Sequence, residues 1–166
     1  MQELISRAEK VGRLLKERGQ TIVVAESSTG GLISAALLAL PGASAYFLGG
    51  AVVYTQVARR ALLDLPDISA LGMRASTVPY ARLLAQTARQ RFSATWALAE
   101  SGATGPAGNR YGDAAGHSCI AVAGATERAI TLETGSSDRI ANMRAFSAAA
   151  LDLLLEVLAA ESSKKD

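Results

Sequence analysis

Short apolar runs alternate with longer amphipathic ones along this chain, and polar or glycine-rich clusters stand at the joints. Residues 21–25, TIVVA, form a β-branched run of the kind that fills a buried strand. The cluster Glu26-Ser27-Ser28-Thr29-Gly30-Gly31 follows, then LISAALLAL, a helical run stopped by Pro41 and Gly42. A second strand is expected over residues 45–55 and a third over 96–100. The fourth and fifth are HSCIAVAG and RAITLET, joined by a turn around Gly124. Helices are expected over 2–18, where Leu4, Ala8, Val11 and Leu15 fall on one stripe, and over 56–65. A further helix starts at Thr77 with Pro79 just behind it, and the last spans about 138–160. Strands alternating with helices imply a largely parallel sheet covered on both faces. The closing pair of strands is joined too tightly for a crossover and must be antiparallel. The expected fold is therefore α/β, a three-layer α/β/α sandwich around a mostly parallel, mixed five-stranded sheet. One domain spanning residues 1–166 is expected, with 161–166 as a flexible tail.

Composition narrows the chemistry. Of 166 residues, 49% are hydrophobic but only 5% aromatic, so the core must be built from aliphatic side chains. About one residue in five is alanine, which favours helix and close packing. Seventeen basic against fifteen acidic residues leave a net charge of +2, too small and too dispersed for a nucleic-acid surface. Cys119 is the only cysteine and His117 the only histidine, which excludes an intramolecular disulfide and a Cys/His zinc site. No metal or cofactor is expected. No run of roughly 18 apolar residues suggests a membrane span, and no signal peptide is visible, so the expected location is the cytoplasm.

Ligands of open α/β sheets bind beyond the carboxyl ends of the strands. Three loops qualify: 26–31, 54–60 and 101–108. In the first, Gly30 and Gly31 allow close backbone approach, and the helix behind them aims N–H groups at an anion. Ser27, Ser28 and Thr29 add hydroxyls; any one of them could serve merely as a helix cap, but three followed by Gly-Gly exceed what capping requires. Glu26 is either a site residue or structural. The stretch Ser101-Gly102-Ala103-Thr104-Gly105-Pro106 offers a second nest facing the first, although alone it reads as an ordinary loop.

Taken together, these segments resemble the CinA C-terminal domain family. Residues 25–31, AESSTGG, are similar to that family's A-E-S-C-T-G-G. Residues 41–54, PGASAYFLGGAVVY, resemble P-G-S-S-A-x-F-x-G-G-x-V-x-Y. Ser101 to Pro106 is similar to T-G-I-A-G-P, and Asp138-Arg139 to a G-D-R near the last helix. Characterised members are nicotinamide mononucleotide deamidases of the PncC type. The resemblance implies a metal-independent amidohydrolase that converts the nucleotide and water to nicotinate mononucleotide and ammonia, in NAD recycling. By position, Ser27 matches the nucleophile, Ser28 the usual cysteine that does not attack, and Tyr54 the active-site tyrosine. Glu26, Ser28, Thr29, Gly30, Gly31, Ser101, Gly102, Thr104, Gly105 and Arg139 are the expected substrate-binding residues. The backbone near Thr29 and Gly30 and the loop 101–105 would hold phosphate and oxyanion. A small pyridine nucleotide is the implied partner, with no nucleic acid, no membrane and a homo-oligomeric assembly.

Two departures from the pattern stand out. The family follows its tyrosine with S/T-N-x-x-K, where this chain has Thr55-Gln56-Val57-Ala58-Arg59. A guanidinium practically cannot lose its proton. If the lysine is a base, Arg59 cannot replace it and proton acceptance falls to Tyr54; if it only supplies charge, Arg59 can. The alternative implied is a non-catalytic nucleotide-binding or regulatory module, linked to competence or DNA damage, that has lost the catalytic lysine. The loop after Pro106 lacks the family's K-P-V-G-T-V and instead carries Arg110, Tyr111 and His117. His117 reads first as a strand-start residue and second as a general base. The pyrophosphatase-like domain of the long family members has no counterpart in this sequence, and that activity is not expected.

Overall fold

The computed structural model describes residues 1–162. Five helices and five strands form, in order, α1 (Gln2–Glu17), β1 (Ile22–Glu26), α2 (Leu32–Leu38), β2 (Phe47–Val52), α3 (Gln56–Leu63), α4 (Val78–Phe92), β3 (Trp96–Ala103), β4 (His117–Ala123), β5 (Arg128–Glu133) and α5 (Arg139–Ser162). The sheet order is β2-β1-β3-β4-β5. β1 pairs in parallel with both β2 and β3, while β3–β4 and β4–β5 are antiparallel. The expected architecture is thus present, with the parallel half at one side of the sheet and the antiparallel half at the other.

Alternation of side chains along each strand divides the core in two. Val24, Leu98, Ile120 and Val122 face α1, α2 and α5 across a cluster that includes Leu15, Leu37, Leu151 and Leu154. Val23, Ala25, Ala97, Ala99 and Ala121 face α4 through Ala81, Ala85 and Ala88. Alanine on both sides of that second interface brings helix and sheet close, which is where the alanine-rich composition acts. Two large side chains resolve their polar ends inside the core. The indole of Trp96 donates to Gln20 Oε1 at 3.0 Å, and the Tyr46 hydroxyl donates to the Leu37 carbonyl at 2.6 Å.

Several boundaries differ from the sequence reading. The second strand starts at Phe47, because residues 43–45 form a 3₁₀ turn after Pro41-Gly42. The third strand continues through Ala103, so Ser101 and Gly102 are ladder residues opposite Cys119 and Ser118 rather than a loop. α5 extends to Ser162, which places residues 161 and 162 in the helix; the rest of the expected tail lies outside the described residues.

Candidate active site

The carboxyl ends of β1 and β3 lie side by side, and the turn from β1 into α2 wraps over them. Two buried carboxylates organise that turn. Glu26, the last residue of β1, is fully enclosed. It accepts from Thr29 Oγ1 at 2.7 Å, from the Ile33 and Ser34 amides at 3.2 and 3.0 Å, and from Ser34 Oγ at 2.5 Å. It is a side-chain cap for the first turn of α2, placed where the helix dipole favours negative charge. The assignment of Glu26 to substrate binding is therefore corrected: both of its oxygens are engaged inside the fold.

Glu100, on β3, is the second carboxylate, and it is also fully buried. Its Oε2 accepts from the Ser27 amide at 3.1 Å and from the Thr29 amide and hydroxyl, both at 3.0 Å. Its Oε1 accepts from the hydroxyl of Ser28 in a short contact and from Ser118 Oγ at 3.2 Å. Burial pushes its carboxyl above the ordinary range, with these donors pulling the other way. Sequence reasoning missed Glu100 because it closes an apolar strand and reads as a strand end. The available signal was an acid inside a run otherwise destined for burial, a position that demands several donors.

This arrangement alters the expected anion nest. The Thr29 amide points at Glu100, the Gly30 amide at the Ser27 carbonyl at 3.2 Å, and the Leu32 amide at the Thr29 carbonyl at 3.3 Å. Among the described residues, the Ser28 and Gly31 amides have no protein acceptor. Thr29 is buried and its hydroxyl serves the two carboxylates, so it is not presented to a ligand. Gly30 and Gly31 have φ of 64° and 99°, the left-handed conformations that tie the turn to the helix.

Ser27 is half-buried and lines a cavity of about 420 Å³ together with Tyr54, Arg59, Tyr80, Ser101, Gly102, Arg110 and Tyr111. Its hydroxyl makes no hydrogen bond among the described residues. Tyr54, 61% exposed, stands at the rim and also lines a second hollow of about 310 Å³ with Ser28, Gly102, Thr104, Gly105 and Arg139. The two hollows share Tyr54, Gly102 and Asn109 and form one bipartite cleft.

The remaining expected residues divide between lining and support. Ser101 lines the cavity, but its Oγ accepts from the Ser76 amide at 3.1 Å. At Gly102 a Cβ would lie 2.5 Å from the His117 carbonyl, so glycine is required by the approach of β4. Thr104 and Gly105 present their carbonyls to Asn142 Nδ2 at 2.9 Å and to Arg139 at 2.8 Å. Arg139 therefore fastens the loop after β3 to α5 while it lines the second hollow.

Arg59 is directed by α3 toward Tyr80, not Tyr54. Its guanidinium donates to the Tyr80 hydroxyl at 3.2 Å and lies 5.6 Å from the ring centre. Burial raises the Tyr80 phenol, with Arg59 acting against that shift. Arg110 and Tyr111 reach the cavity from the loop joining β3 to β4. Asp113 holds that loop in place. It forms a two-pronged pair with Arg74 at 2.5 and 3.0 Å, and it accepts from Asn109 Nδ2 at 2.8 Å. The Arg74 pairing sets its carboxyl below the usual range.

His117 opens β4 but lines neither hollow. Nε2 faces the Ser76 carbonyl at 2.9 Å, and Nδ1 makes a short contact with Glu133. Asp113 is 4.0 Å away. Burial works against the charged ring, yet Glu133, the Ser76 carbonyl and Asp113 outweigh it, and the pKa is raised. The first reading of His117, as a strand-start residue, holds over the general-base one. The raised value fixes the sign of a pH effect: the stabilisation is fully present below the unfolded value near 6.5 and is lost as pH rises through the folded one. Thermal melts of wild type and His117→Gln should therefore diverge most at mildly acid pH and converge as the pH rises through the raised folded value. A constant difference, or one that grows with pH, would contradict this assignment.

The fold agrees with comparisons against known proteins. The CinA C-terminal domain family matches residues 4–158, and the chain belongs to that family. A CinA-like protein of Prochlorococcus marinus (strain MIT 9313) is 44% identical over 119 residues, which is 72% of this chain and 28% of that protein. A CinA-like protein of Chloroherpeton thalassium is 36% identical over 155 residues, 90% of this chain and 37% of that one. The chain thus spans roughly a third of the length of these relatives. Among solved structures, a competence-damaged protein (CinA) superfamily protein from Klebsiella pneumoniae 700603 superposes with a TM-score of 0.87 at 26% identity, covering 94% of this chain and 98% of that one. The competence/damage inducible protein CihA from Agrobacterium tumefaciens gives 0.85 at 27%, covering 93% and 94%. Among the described residues, no helix is long and apolar enough to cross a membrane.

Proposed function

We propose that this domain hydrolyses the carboxamide of a pyridine nucleotide, nicotinamide mononucleotide or a close relative, with Ser27 as nucleophile. The observation that carries the reading is the state of Ser27. Ser27 lines the cavity, and among the described residues its hydroxyl has no partner and the next amide, that of Ser28, has no acceptor. A serine on a strand-to-helix turn followed by a free N–H is the arrangement that attacks a carbonyl and stabilises the resulting oxyanion. Ser27 Oγ would bond to the carboxamide carbon while its proton passes to the phenol oxygen of Tyr54, on the same cavity, and the phenol in the same motion gives its own proton to the carboxamide nitrogen. The C–N bond then breaks, and the protonated nitrogen leaves as ammonia. Water cleaves the resulting ester, giving the carboxylate and restoring Ser27. Glu100 acts behind the turn by fixing the Ser27 and Thr29 amides.

The test is ammonia release from nicotinamide mononucleotide by the purified protein. Stoichiometric ammonia and nicotinate nucleotide are expected; none with this substrate would set the reading aside. A second reading has its own observation. Among the described residues, no lysine, histidine or carboxylate lines the Ser27 cavity, and Arg59 is engaged with Tyr80. A binding module would hold the nucleotide in calorimetry without turnover, and Arg59→Lys would restore ammonia release if only the base is missing.

A further inference from the structure

The cavity in front of Ser27 has an unbalanced charge. Arg59 and Arg110 both line it, and among the described residues no aspartate or glutamate does. Among the described residues neither arginine is ion-paired: Arg59 donates to the Tyr80 hydroxyl, and Arg110 donates to the Tyr111 hydroxyl at 2.8 Å. Phenol hydroxyls orient a guanidinium without cancelling its charge, and each fork keeps further N–H groups for a ligand; Asp67 interacts with Arg59 through space but not as an ion pair.

The support beneath Arg110 is built rather than loose. Its guanidinium lies 5.0 Å from the centre of the Tyr111 ring, and that of Arg74 lies 5.4 Å from the same centre. Arg74 is neutralised by Asp113; Arg110 is not. Asn109 Oδ1 accepts from the Tyr111 and Asp113 amides at 3.0 and 3.1 Å, which fixes the turn carrying Arg110. Two guanidiniums, one from helix α3 and one from the β3–β4 connection, therefore line one tyrosine-walled space.

The backbone positions first expected to take the substrate's phosphate are mostly closed, because the Thr29 and Gly30 amides have internal acceptors. In the other hollow, Arg139 is alone and is tied to the Gly105 carbonyl. We infer that Arg59 and Arg110 form a phosphomonoester subsite of the cleft, with Arg110 the residue that selects phosphorylated over unphosphorylated ligands. A phosphate matches paired guanidinium forks in geometry as well as charge. The inference rests on the proposed amidase reading for the placing of the amide at Ser27; the anion subsite itself does not depend on turnover.

Calorimetry with the full chain tests it, using nicotinamide mononucleotide, nicotinamide riboside, adenosine monophosphate and inorganic phosphate as probes. Wild type should bind the two mononucleotides more tightly than the riboside. Arg110→Gln should weaken mononucleotide binding by roughly 10- to 100-fold and leave riboside binding unchanged. Arg110→Lys should recover part of the loss. If nicotinamide mononucleotide is hydrolysed and Arg110→Gln leaves its KM unaltered, the subsite is wrong while the amidase reading stands. If adenosine monophosphate or phosphate binds in an Arg110-dependent way and no amide is cleaved, the subsite stands and the amidase reading falls. Loss of phosphate discrimination in Arg139→Gln but not Arg110→Gln, or no binding of any phosphorylated probe, overturns the proposal.

Discussion

Replacing Ser27 with alanine is expected to lower kcat for ammonia release by about 10⁴-fold or more, the scale seen when a serine nucleophile is removed from a preorganised site. The thermal midpoint should barely move, because the Ser27 hydroxyl has no protein partner and its backbone amide, which Glu100 holds, is kept by alanine. Ser28→Ala is the informative companion. Ser28 is buried and its hydroxyl donates to Glu100, so its loss removes one of that carboxylate's donors. It should retain most turnover and lose modest stability, about 1 kcal/mol. The opposite pattern, with Ser28→Ala inactive and Ser27→Ala active, would move the nucleophile by one residue and make Glu100 its base. Assays of both variants beside circular-dichroism melts separate these outcomes.

Glu100→Ala is expected to be the most damaging single change to stability. It strands the Ser27 and Thr29 amides and the Ser28 and Ser118 hydroxyls around a vacated site, while the Thr29 hydroxyl keeps Glu26. Unmet buried donors cost about 1–3 kcal/mol each, and hydroxyls can partly re-pair among themselves, so a net loss of about 3–5 kcal/mol follows. For a domain of this size that lowers the midpoint by about 10 °C. Glu100→Gln should be milder. Its carbonyl can accept from the two amides, and its NH₂ can face Ser28 and Ser118, whose hydroxyls can turn to accept. A midpoint for Glu100→Ala within about 2 °C of wild type would show that the carboxylate is not what holds the turn.

Periodicity made the sheet and most helices legible, because buried β-branched runs and amphipathic stripes are local signals. Ser27, Tyr54 and the Gly30-Gly31 turn were legible for the same reason: they sit where a strand ends. What stayed hidden depended on pairing across the sheet. That Ser101 and Gly102 are ladder residues follows from β4 lying against β3, and no local pattern announces it. Glu100 is separated from its partners on the β1–α2 turn by more than seventy residues. The direction of Arg59 toward Tyr80 is likewise set by packing of α3 beside α4, so spacing from Tyr54 could not decide it.

The reversal of strand direction between β3 and β4 has a consequence for how such a domain can diversify. Antiparallel neighbours can be joined by as few as two residues, so the long excursion from 104 to 116 has no topological duty. Its crest is pinned to the segment ahead of α4 through Arg74 and Asp113, and its side chains hang over the cleft. Mutational drift there can reshape the cleft, while the turn that carries Ser27, anchored in the parallel half by two internal acids, stays as it is.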